Sequence, residues 1–137
     1  MSAIGWRLEN MWPLAWVLGS EPAPPPGGMI TNEVIAALVI DMLELLDTDV
    51  ALLKEAVRPR AEIVAAEDLF YCAHNAARSA QTGGATVSDG FHPVVGGGVM
   101  HERRMSLTWC ISARFDWDDT DLSTSPRRGR VAGTLKR

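Results

Sequence analysis

Four side chains in the middle of this sequence fall in register for one helical face. Glu67, Tyr71, His74 and Arg78 are spaced i, i+4, i+7, i+11, which stacks a carboxylate, a phenol, an imidazole and a guanidinium in a row. An imidazole is the side chain best suited to moving a proton near neutral pH, and a neighbouring carboxylate can orient it. Arg78 can clamp an anion with its forked donors. The same row also suits a hydrogen-bonded seam between packed helices, and its composition alone does not choose between the two.

A second block, His101-Glu102-Arg103-Arg104, sets two arginines beside the apolar positions Met100, Leu107 and Ile111. Arginines at the margin of a core need partners, because an unpaired buried charge is very unfavourable. The carboxylates available to them are Glu67, Asp68 and the acidic run after Phe115. An arginine–carboxylate network that fixes helix packing and an anion-binding site are both open here. The acidic run, Asp116-Trp117-Asp118-Asp119-Thr120-Asp121, lacks the glycine turn and terminal Glu of a calcium loop. It reads as capping, or as a partner for Arg103 and Arg104 through residues such as Asp118. His74, His92 and His101 are scattered and none has zinc-ligand spacing with a cysteine, so no metal is expected. Cys72 and His74 lie two apart and point away from each other on a helix, which removes the one nearby thiol–imidazole pair. Gly96-Gly97-Gly98 lacks a phosphate-loop lysine and reads as a flexible hinge. No catalytic residue and no cofactor is assigned.

The elements that would position these residues are helical. Ile4 to Leu18 reads as a helix apolar all round its second half, which is expected to be buried on all sides; Pro13 complicates it, so that the helix either kinks there or begins near Trp12. Glu21 to Gly28 (EPAPPPGG) is a linker of extended geometry released by two glycines. Thr31 or Asn32 caps a second helix with Val34, Leu38, Met42, Leu45 and Leu46 on one face. Val50 to Ala56 is a short third helix. A fourth starts at Pro59 and runs to about Gln81, with Ala66, Leu69, Phe70, Ala73, Ala76, Ala77 and Ala80 as a small-residue packing face. Thr82 to Gly98 is expected to be a long Gly-rich loop, and Val99 to about Ala113 the last helix. The fold class is all-α: a small domain of four to five helices over residues 1–124, followed by a basic disordered tail at 125–137.

The totals agree with one globular unit: 137 residues, 47% hydrophobic and 22% charged. Five of the 13 bases follow Ser125, where there is no acid, leaving 8 bases against all 17 acids in residues 1–124, a net of -9. An acidic body argues against nucleic acid as partner. Two isolated cysteines fit free thiols in a reducing cytoplasm. The longest apolar stretch, Val34 to Leu46, is broken by Asp41 and Glu44, so no membrane span is expected.

Three blocks together resemble a known bacterial family. Trp6-Arg7-x-Glu9 leads to Leu14-Ala15-Trp16-x-Leu18-Gly19; Glu62-Ile63 leads to Asp68-Leu69-x-Tyr71 and His74; Glu102-Arg103-Arg104-x-x-Leu107-x-Trp109 is followed by Trp117-Asp118. In this order they resemble the domain of unknown function 4272 family. The resemblance implies a largely helical bacterial protein, expected in the cytoplasm, and it carries over no catalytic residue. The chain begins almost on the Trp-Arg motif, which reads as a shortened or N-terminally truncated member, and it has Ser123-Thr124 where relatives tend to place Asp-Thr. The function that follows is a non-enzymatic interaction module with Trp6, Trp12 and Trp16 as its candidate surface, binding a protein partner or a second copy. An acidic module that masks a basic partner is one version. The alternative is an enzyme or small-ligand binder using the Glu67, Tyr71, His74, Arg78, His101, Glu102 and Arg103 seam between the fourth and last helices.

Overall fold

Trp12, Ala15, Trp16 and Val17 leave the first helix no polar side over its second half, and all four are buried. In the computed structural model, which describes residues 3–112 and 116–123, this helix is α1 (Ala3–Val17), and it runs through the buried Pro13 without a break. It is followed by α2 (Asn32–Asp47), α3 (Val50–Ala56), α4 (Arg60–Gln81) and α5 (Pro93–Ile111), and then by one turn of 3-10 helix at Trp117–Asp119. Among the described residues there is no strand, so the expected all-α class holds. The tail expected to be disordered, 125–137, lies outside the described residues.

Helix α5 is the axis of the packing. Helix α4 runs antiparallel to it, with Arg60 bonded to the Ile111 carbonyl at one end and Gln81 to the Pro93 carbonyl at the other. Helix α1 runs along α5 in the same direction, so that Trp6 lies over Gly98 and Asn10 over Glu102 and Ser106. Trp16, Val17, Ile63, Phe70 and Leu107 form the core where α1, α4 and α5 meet. Helix α2 packs mainly on α1, through Leu38 against Trp12 and Ala15. Thr31 caps α2 by accepting the Val34 N–H, and Asp49 caps α3 by accepting that of Ala51. The last turn of α1 has no basic residue of its own. Arg58 supplies the charge from a distance, donating to the Trp16 carbonyl at 2.7 Å and lying 4.7 Å over the Trp16 ring.

The fold departs from the sequence reading in three places. Helix α5 begins at Pro93, capped by His92, so the loop is Thr82 to His92 and Gly96-Gly97-Gly98 lies within the helix instead of serving as a hinge. The reason is close approach. A Cβ on Gly98 would stand 2.7 Å from the Trp6 ring, and one on Gly97 would stand 2.8 Å from the Gln81 amide. Helix propensity yields to packing that only glycine allows. Second, Leu46 and Leu69, expected on buried faces, are 78% and 54% exposed. The buried line of α4 is Ile63, Glu67, Phe70, His74 and Ala77, two of them polar. Third, Glu21 to Gly28 is no free linker. Pro24 is buried, Pro22 accepts from the Trp12 indole at 2.9 Å, and the carbonyls of Pro25, Gly27 and Gly28 all accept from Arg103.

Candidate functional site

Arg103 and Arg104 sit on the central helix and point to opposite neighbours. Residues adjacent in sequence lie about 100° apart around a helix, so one reaches α1 and the other α4. Both are buried, not marginal, and both find a carboxylate. Arg103 binds Glu9 of α1, with Nε and one terminal nitrogen each 2.7 Å from the same Oε2, and neither residue has any exposed surface. The second oxygen of Glu9 accepts the Ile30 N–H at 2.9 Å. The guanidinium face lies 4.7 Å from the Trp12 ring, and its remaining donors meet the 25–28 carbonyls. This one arginine therefore ties α5, α1 and the segment entering α2 together.

Arg104 binds Glu67 at 2.9 Å, lies 4.6 Å over the Tyr71 ring and donates to the Leu122 carbonyl at 3.3 Å. Thr108 also donates to Glu67, at 3.0 Å. A second Arg104 donor lies 3.3 Å from Nδ1 of His74. A guanidinium only donates, so this Nδ1 must carry the lone pair and the neutral ring its proton on Nε2. Burial, followed by the charges of His101, Arg104 and Arg78, pushes His74 down to about 4. The ring is neutral at physiological pH.

The expected row therefore divides. Glu67 and Tyr71 are committed to Arg104, whereas His74, Arg78 and His101 line an open cleft of about 510 Å³ between the second half of α4 and the first half of α5. The His74 and His101 rings meet edge to face at 5.4 Å. Glu102 turns to the other side of α5 and accepts from Asn10 at 2.7 Å.

The chain matches the family described as Domain of unknown function (DUF4272) over residues 1–120. It belongs to that family. No curated protein and no solved structure matches it. No helix among the described residues is long and apolar enough to cross a membrane.

For this DUF4272 domain the remaining candidates fall as follows. Trp12 and Trp16, expected as interaction surface, are buried at 7% and 8% exposure, each beneath an arginine; Trp6 is half-buried against Gly98. Asp118 is exposed on the 3-10 turn, and the arginines take their carboxylates from Glu9 and Glu67 instead of from that acidic run. Trp117 beside it packs edge-on against Trp109, with ring centres 5.6 Å apart. Among the described residues no group of three ligating side chains could hold a metal. Burial pushes the Cys110 thiol up to about 11, away from a reactive thiolate. The residue that sequence reasoning missed is Glu9. Its signal was present: a lone carboxylate, three residues from Trp12, on a helix otherwise apolar towards its C-terminal half.

Proposed function

We propose that this domain is a non-enzymatic protein-interaction module whose docking face is the outer side of α2 and α3, not the tryptophans. One observation carries the reading. Val39, Ile40, Leu43 and Leu46 on α2 are 43%, 58%, 60% and 78% exposed, and Val50 and Leu52 on α3 are 65% and 58% exposed. Helix α2 spends one stripe, Val34, Leu38 and Met42, on α1 and leaves a second apolar face open beside it. Folded monomers rarely leave contiguous apolar patches beyond a few hundred Å² uncovered, and larger ones mark binding sites. The charge of the partner follows from the rim: Glu33, Glu44, Asp47 and Asp49 are exposed along this edge. A protein segment with an apolar ridge and flanking bases fits it, whereas a second acidic copy would add repulsion. The buried polar seam supports the non-enzymatic reading, since Glu67, its only carboxylate on α4, is held by Arg104 and Thr108. Cys72 and Cys110 are both free thiols, which supports a reducing compartment such as the cytoplasm.

Fluorescence anisotropy with two labelled amphipathic peptides tests the proposal, one flanking its leucines with Lys and Arg, the other with Glu. The basic peptide should bind, weaken with added salt and lose binding in Leu43→Asp/Leu46→Asp. Binding of neither peptide overturns the reading. So does a sedimenting dimer that the double variant splits, because the face would then belong to a second copy.

A further inference from the structure

The cleft between α4 and α5 differs from the rest of the polar seam in having donors with nothing to hold. Among the described residues, Arg78 makes no ion pair or hydrogen bond, and neither does His101. His74 is 6% exposed, its Nδ1 is occupied by Arg104, and its Nε2–H has no acceptor among the described residues. Among the described residues no buried side-chain nitrogen or oxygen is without a partner, so this Nε2 opens to the cleft that His74 lines. Two imidazoles and one guanidinium thus line a concavity with no carboxylate among its described lining residues. Arg104 lies directly beneath and adds to the positive field. Asp121, two residues before the rim residue Ser123, is turned towards the Ser123 N–H and hydroxyl.

A cation is disfavoured at such a place and an anion is favoured. The volume of about 510 Å³ falls in the range of small-molecule sites and exceeds what a lone ion fills. Val94 and Leu122 give the cleft an apolar wall for the rest of a ligand. Donors arriving from three separate side chains suit three terminal oxygens on one tetrahedral centre. A carboxylate offers two coplanar oxygens, which Arg78 alone would satisfy.

We propose that this cleft binds a small phosphorylated metabolite, its phosphate held by His74, Arg78 and His101 and its less polar body lying against Val94 and Leu122. The site is independent of the docking face on α2 and α3.

Isothermal titration of the full chain with inorganic phosphate, adenosine monophosphate, adenosine and citrate tests this. Both phosphates should bind saturably, and adenosine and citrate at least about tenfold more weakly. Arg78→Gln and His101→Gln should each weaken adenosine monophosphate by roughly tenfold, the share of one charge-assisted hydrogen bond. Tm should be unchanged in Arg78→Gln, whose side chain holds no other described part of the fold, and should fall only slightly in His101→Gln, which loses the edge-to-face contact with His74. The imidazole cross-peaks of His74 and His101 should shift on saturation, and Leu43→Asp/Leu46→Asp should bind as the unchanged protein does. No saturable binding overturns the proposal. Binding that survives both single variants overturns it too, because the phosphate would then sit elsewhere, as on the basic residues after Ser125. Equal affinity for citrate overturns the assignment to phosphate.

Discussion

The Glu9–Arg103 pair makes a quantitative prediction because both partners are fully buried and each has a different second role. In Glu9→Gln the amide keeps the volume, and its carbonyl can still accept the Ile30 N–H. The guanidinium then stays in a site without water and without a counter-charge. Breaking a buried pair on one side costs about 3–5 kcal/mol. Arg103→Met loses a similar amount from the other side: a carboxylate with 0% exposure is left without a counter-charge, and the 25–28 carbonyls lose their donor. The double variant Glu9→Gln/Arg103→Met leaves no charge at this site. Its remaining loss is the desolvation of groups that reach water easily, since Pro25 and Gly28 are exposed. The double variant should therefore be more stable than the sum of the single losses implies, by roughly 2–3 kcal/mol. Urea unfolding followed by tryptophan fluorescence measures all four corners. Trp12 lies on the perturbed guanidinium, so its emission also reports the local change. A domain is stable by only about 5–15 kcal/mol, so a single variant that does not fold is measured in an excluded osmolyte with the others. Faster proteolysis between Pro25 and Gly28 in Arg103→Met should accompany the loss. Losses that add within about 0.5 kcal/mol would refute the coupling, and single losses below about 0.5 kcal/mol would refute the buried charge itself.

Two further outcomes follow from the same geometry. The ordinary pKa of 6.5 for His74 falls to about 4 in the folded chain, so between these values the unfolded state binds more protons than the folded one. The contribution is complete above pH 6.5 and is lost as pH falls towards 4, at most about 3 kcal/mol. His74→Asn keeps an acceptor for Arg104 and should flatten the stability–pH profile across that window; an unchanged slope would remove His74 as its cause. Gly98→Ala brings a Cβ to 2.7 Å from the Trp6 ring. Overpacking of about 1–3 kcal/mol should outweigh the helix-propensity gain of about 1 kcal/mol. In a Trp6→Ala background only the gain remains, so the same substitution should stabilise; thermal melts that show no change of sign would disprove the contact.

The local features of this chain were legible because they depend on neighbours in sequence. Thr31 and Asp49 cap α2 and α3, Pro59 precedes the first turn of α4, and α2 carries Val34, Leu38 and Met42 on the face that packs. Each follows from periodicity or from one side chain reaching a backbone group two or three residues on. The demand that Arg103 and Arg104 be paired was legible too, as was Glu67 as one partner, because a charge beside a core stripe must be met.

Which carboxylate meets Arg103 was not legible. Glu9 lies 94 residues away, and only the parallel packing of α1 on α5 brings it near. The glycines show the same limit: their local propensity argues for a hinge, and only Trp6 and Gln81 pressing on α5 explain why a helix keeps them. The all-round apolar second half of α1 pointed to burial of Trp12 and Trp16 as well as to an interaction surface, and only the arginines that cover them decide for burial. That Val39, Ile40, Leu43, Val50 and Leu52 stay exposed had no signal in the sequence. Sequence determined where α2, α3 and α4 start, the stripe of α2 that packs and which charges need partners, since these are set by spacing along one chain. Tertiary structure alone decided which apolar stripes found a neighbour, which charges cancelled, and that His74, Arg78 and His101 were left facing one cleft, since those outcomes depend on distances between elements that no local pattern encodes.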